Sequence, residues 1–213
     1  MKRTIVLFIL CMMIAFPVFA DNQAALVTDE IYKDIEALKY PYVSEIEKEK
    51  VADKINQTFE MYIEKAYLAY EENVQLGEKL DFPAEYMTDY QLKYNKNPYL
   101  SILTSNYIYS GGAHGNTFIE SFNFNVKDGK RIYLTNILKE KEQIEVVRDH
   151  VWEYATERPD IFYPDLKKED IHLTKDTAFY FTDEGITLVF QQYEIAPYVS
   201  GNQEIEVPSE LYE

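Results

Sequence analysis

Apolar side chains return at every fourth position from Val51 through Ile55, Phe59 and Ile63 to Tyr67. Ala52, Ala66 and Tyr70 lie beside them, and Glu and Lys fill the opposite side. This spacing follows the 3.6-residue helical repeat and fits no strand. It predicts one amphipathic helix of about 28 residues whose apolar stripe must lie on something broad and flat. Ser44 and Glu47 have the spacing of a capping box and predict where that helix opens. The polar stretch 73–83 reads as a connection. A second helix is predicted over about 139–156, with Ile144, Val147, Val151 and Tyr154 on one side and Arg158-Pro159 as its stop.

The other periodic runs read as strands. Residues 25–39 supply one or two, followed by 85–94 and 99–109. The run 118–126 alternates best: Phe118, Phe122, Phe124 and Val126 point one way, while Ser121, Asn123 and Asn125 point the other. Lys127-Asp128-Gly129-Lys130 turns it into 131–134. Residues 178–182 and 186–195 form a hairpin about Asp183-Glu184-Gly185, and 204–207 is a last short strand. All seven glycines fall in predicted loops or turns. The order of helix, strands, helix, strands predicts an α+β fold: two amphipathic helices packed on one antiparallel β-sheet.

Residues 1–20 have the form of a signal peptide. Lys2 and Arg3 precede the apolar run from Ile5 to Ala20, Val18-Phe19-Ala20 resembles a cleavage site, and Asp21-Asn22-Gln23 is polar at once. The run has 16 residues, short of the roughly 20 that a membrane span needs. Cys11, the only cysteine, lies within it. The expected exported protein, periplasmic or secreted to the cell surface, therefore has no disulfide. It is stabilised by its core and inserts in no membrane once cleaved. Residues 21–213 are expected to form one domain, or two intimately packed halves, 21–96 and 97–213. Loss of Lys2 and Arg3 takes the formal charge from −16 to −18, a surface that repels nucleic acid and attracts basic partners.

The first candidate for chemistry is "YIYSGGAHGNTFIESF", residues 107–122. Its glycines lead into a strand rather than a helix N-terminus, which excludes a phosphate cradle. His114, His150 and His172 are solitary and offer no metal-ligand spacing, so neither a metal nor another cofactor is expected. No thiol remains after Cys11, and no serine motif marks a nucleophile. Ser110 lies near His114 with no third group to orient the imidazole. No residue is assigned a catalytic role. "FQQYEIAPYVSG", residues 190–201, begins as a strand and ends in a loop exposing an aromatic, a proline and an apolar residue, a composition suited to contact.

Four segments, "YPYVSEIEKEKVADKIN", "YSGGAHGNTFIESFNFNVKDGKRIYLTNIL", "FYFTDEGITLVFQQYEIAPYVSG" and "IEVPSEL", together resemble the RsiV/PdaC-like extracytoplasmic domain of bacteria. That domain forms the sensor of an anti-sigma factor that recognises lysozyme, and it precedes the catalytic domain of a peptidoglycan deacetylase. The resemblance spans about residue 26 to the end. With only Met1 to Thr4 before the apolar segment and no deacetylase domain expected after 213, it implies the fold and a binding role rather than signalling or catalysis. The expectation is a non-enzymatic module of the cell envelope that recognises a lysozyme-type cell-wall hydrolase or peptidoglycan fragments. The competing expectation is an enzyme or accessory domain of deacetylase or hydrolase type acting on wall polysaccharide. The expected contact residues are Tyr198, Pro197 and Tyr193 in the late loop and Ser110, Gly111 and His114 at the corner. If both segments lie at one end of the sheet, they form a single patch.

Overall fold

Helices and antiparallel strands do combine as an α+β fold, but on three sheets rather than one. The computed structural model describes residues 24–213, so the signal-peptide reading of residues 1–20 lies outside it. Strands β1 (Leu26–Ile31) and β2 (Lys39–Ser44) form a two-stranded ribbon. Strands β3 (Glu85–Lys96), β4 (Tyr99–Tyr109), β5 (Asn116–Asn125) and β6 (Lys130–Ile132) form a second sheet in sequence order. Strands β7 (Ala178–Phe181), β8 (Gly185–Phe190) and β9 (Gln203–Pro208) form the third. The helices are α1 (Glu49–Leu80), a single turn α2 (Leu134–Ile137), and α3 (Lys141–Thr156). The ribbon reaches β3 through a lone parallel bridge, Leu38 to Thr88.

Helix α1 differs from its expectation at both ends. Ser44 is the last residue of β2, paired with Leu26, and Glu45 turns the chain with φ 56°, so no Ser44–Glu47 capping box forms. Lys48 is the N-cap and supplies no side-chain bond. At the far end the helix continues through Asn73 to Leu80, absorbing the predicted connection and placing Gly77 inside a helix. Close packing explains Gly77: a Cβ there would lie 2.7 Å from Ala84 Cβ and 2.9 Å from Phe82 O. Buried Asn73 donates to Glu85 O at 2.9 Å and Tyr109 O at 3.0 Å, tying the helix to the ends of β3 and β4.

The predicted helical stripe is the core seam. Ile55, Phe59 and Ile63 are fully buried against Leu100, Ile102, Phe122 and Phe124. Phe59 meets Phe122 at 5.0 Å and Phe124 at 5.7 Å between ring centroids. A second core gathers Val147, Val151 and Ala155 of α3 with Phe179, Leu188, Phe190, Ile205 and Val207 of the third sheet. Each helix thus covers its own sheet, as an apolar stripe and an apolar sheet face require.

The polar row of β5 has an interior role. Ser101 and Asn123 are fully buried, on the face of β4 and β5 turned away from α1. There they meet the outer edge of β7. Phe179 N donates to Ser121 Oγ at 3.1 Å, Asn123 Nδ2 donates to Phe179 O at 2.8 Å, and Phe181 N donates to Ser101 Oγ at 3.1 Å. Three short polar side chains therefore satisfy edge groups that would otherwise be buried unpaired. Replacing Asn123 with Ala leaves the Phe179 carbonyl without its donor. The expected cost is about 1–3 kcal/mol, read as a lower urea midpoint at unchanged m-value.

Candidate functional site

The corner between β4 and β5 and the segment after β8 come together in space. The His114 ring stacks on Tyr198 with centroids 3.9 Å apart and planes at 22°. Tyr193 lies 5.6 Å from Tyr198 and 6.5 Å from His114. His114 Nδ1 is 2.9 Å from Gly115 O and must donate to it. In the neutral ring Nε2 is then the acceptor, and the Tyr193 hydroxyl stands 3.3 Å from it. The Tyr198 hydroxyl also donates to Gly115 O, at 3.0 Å. One carbonyl thus orients both stacked rings.

The late loop is stiff for local reasons. Strand β8 ends at Phe190, earlier than the predicted 195, and the chain turns through Gln191 to Glu194, with Glu194 N donating to Gln191 O at 3.1 Å and Gln191 N donating to Glu194 Oε2 at 2.7 Å. Loss of water around the Glu194 carboxyl raises its pKa, against the lowering effect of the Gln191 N–H. Tyr193 takes a left-handed φ of 67°. Ile195 and Ala196 are buried, Tyr163 N donates to Ile195 O, and the Ser200 hydroxyl donates to Ile161 O at 2.7 Å. Pro197 caps a 3₁₀ turn over Tyr198–Ser200. Facing outward are Glu194, Tyr193 (51% exposed) and Val199 (90% exposed).

Of the six expected contact residues, four meet: His114, Tyr193 and Tyr198 in the cluster, with Pro197 beside it. Ser110 and Gly111 turn toward α1 instead. The Ser110 hydroxyl donates to Asn73 Oδ1 at 2.5 Å, and Gly111, at φ 87°, lies against the Phe82 ring. Ser110 and His114 therefore do not form a nucleophile–base couple. Sequence reasoning missed Gln191 and Gln192, which tie the loop to β5: Thr117 N donates to Gln192 Oε1, and Ile119 N to Gln191 Oε1, each at 2.9 Å. Among the described residues no three of His, Cys, Asp and Glu are grouped as metal ligands, and no helix is long and apolar enough to cross a membrane.

Two family models divide the chain between them. Residues 27–117 match the family described as Deacetylase PdaC, and residues 127–210 match the one described as Protein of unknown function (DUF3298). The chain belongs to the PdaC/DUF3298 domain family. Its architecture agrees with two crystal structures of DUF3298 family members. One, from Bacteroides fragilis NCTC 9343, is 18% identical with a TM-score of 0.60, over 90% of this chain and 91% of that one. The other, from Pseudomonas aeruginosa PAO1, is 16% identical with a TM-score of 0.55, over 89% and 91%. No curated protein matches the chain. In this PdaC/DUF3298 domain His114 falls in the first matched segment, and Tyr193 and Tyr198 fall in the second, so the aromatic cluster joins the two.

Removing the Tyr198 hydroxyl by Tyr198→Phe is expected to cost no more than about 1 kcal/mol, because Gly115 O keeps the His114 donor. His114→Ala loses both that donor and the stack and is expected to cost more, about 1–2 kcal/mol. Urea unfolding of the two variants gives the order directly.

Proposed function

We propose that this PdaC/DUF3298 domain is an exported, non-catalytic binding module of the bacterial cell envelope, and that its partner is a cell-wall hydrolase of the lysozyme type, with peptidoglycan fragments as the next class. The observation that carries the reading is the preassembled His114–Tyr198–Tyr193 cluster beside exposed Val199, held on a loop whose backbone is tied down along its length. Aromatic anchors on a rigid loop give large contact area at small entropic cost. The rest of the chain is strongly acidic, formally −16 with the N-terminal segment included. A basic hydrolase is drawn toward such a surface, because complementary charge raises the association rate. Export is supported by Lys2 and Arg3 ahead of the apolar run and by the cleavage-site form of Val18-Phe19-Ala20.

The reading predicts that the purified protein is retained on immobilised lysozyme at low salt and released as salt screens the charges. Tyr198→Ala and Val199→Ser are each expected to weaken binding by about 1–2 kcal/mol. The Val199 variant, at a site almost wholly in water, should keep the wild-type unfolding curve. An unretained wild-type protein, or unchanged retention of both variants, rules the partner out.

A further inference from the structure

Gln191 and Gln192 do something that side chains leaving a strand seldom do: they dock on a different sheet. Strand β5 pairs with β6 only from Asn123 to Asn125, so the edge at Thr117 and Ile119 has no neighbouring strand. The Gln191 carboxamide fills that place. Its Oε1 accepts from Ile119 N at 2.9 Å, and its Nε2 donates to Ile119 O at 2.8 Å. This two-bond pattern is what the backbone of an adjacent antiparallel residue would make. Gln192 Oε1 accepts from Thr117 N at 2.9 Å, two residues along the same edge. The next residue is Tyr193, held at φ 67°. A left-handed, non-glycine residue persists only where its surroundings over-determine it.

We infer that Gln191 and Gln192 are positioning residues of the contact cluster, clamping the loop after β8 to β5 so that Tyr193 and Tyr198 are set against His114 before any partner arrives. This rests on the reading of that cluster as a binding site. The clamp explains why two segments some 80 residues apart present one surface. His114 lies in the corner that leads into β5, and the glutamines grip β5 three and five residues further on, Gln192 at Thr117 and Gln191 at Ile119. The two loops are registered to each other through the strand, not through the partner.

The test compares Gln191→Leu and Gln191→Glu with the wild-type protein, using lysozyme as the probe. Ring-proton shifts of His114 report its stack on Tyr198, amide exchange at Ile119 reports the clamp, and calorimetry gives the lysozyme Kd. Gln191→Leu is expected to speed exchange at Ile119, move the His114 signals toward those of a free imidazole, and weaken the Kd about tenfold, the loss of preorganisation that two bonds supply. Gln191→Glu keeps the acceptor for Ile119 N and loses the donor to Ile119 O, so it is expected to fall between. Fast exchange at Ile119 with unmoved His114 signals and unchanged Kd overturns the positioning role. Collapse of the His114 signals in a protein whose wild type binds no lysozyme upholds the positioning role and sinks only the choice of partner. Should Gln191→Leu not fold, the Gln191→Glu shifts decide.

Discussion

Backbone groups at the edges of β-sheets must find partners, and in this domain short amide and hydroxyl side chains supply them. Three small sheets have more edge than one large sheet, and each buried edge group left unpaired costs about 1–3 kcal/mol. The Asn56 carboxamide on α1 accepts from Val43 N and donates to Val43 O, both at 2.8 Å, completing the inner edge of β2. Asn95 makes the same pair of bonds to Ala25 at the entry to β1. Ser101, Ser121 and Asn123 receive the edge of β7, and Gln191 does so for β5. A carboxamide has the same donor and acceptor as a peptide unit. It can therefore end a sheet where another element begins, and this lets separate sheets abut instead of merging.

That device also marks how far the fold could be read from sequence. Alternation in β5 correctly puts Phe122 and Phe124 on the α1 side, because apolar burial has a clean period of two. The same alternation puts Ser121 and Asn123 on the opposite face, and a polar row ordinarily means a solvated one. Here the row is an interface, and nothing in its period distinguishes the two cases. Asn73 and Gly77 are similar. Both are poor helix formers, and together they read as a connection. In the fold Asn73 bonds the ends of β3 and β4, and Gly77 admits the returning chain at Ala84. Tertiary contacts outweighed local propensity at both positions.

The candidate site was legible in parts and illegible as a whole. A glycine–histidine corner and a tyrosine–proline loop each stand out by composition, but their meeting depends on the clamp at Thr117 and Ile119, which has no local signature. Two glutamines after an apolar strand look like two more strand residues. Ser110 and Gly111 were grouped with His114 by adjacency, yet the chain reverses between them: Ser110 is drawn to Asn73 and His114 to Tyr198. Proximity in sequence is a weak guide at a tight corner, because positive φ at Gly111 and Gly112 sends neighbouring side chains in different directions.

The placement of the cluster has an energetic consequence. A left-handed tyrosine costs about 1–3 kcal/mol relative to relaxed backbone, and stacking two rings on a loop costs rotamer entropy as well. In this domain those costs fall at folding, offset by the carboxamide bonds to β5, the shared acceptor at Gly115 O and the burial of Ile195 and Ala196. Under the proposed binding role, a partner would then meet rings already in place and need not order them. The charge works at longer range: at physiological salt it acts over about 8 Å, enough to orient an approaching basic surface but not to fix its register. Register would then fall to the aromatic rings and to Val199. In the proposed binding role, steering and anchoring therefore fall to different residues, and a change in salt should alter the rate of encounter more than the geometry of contact.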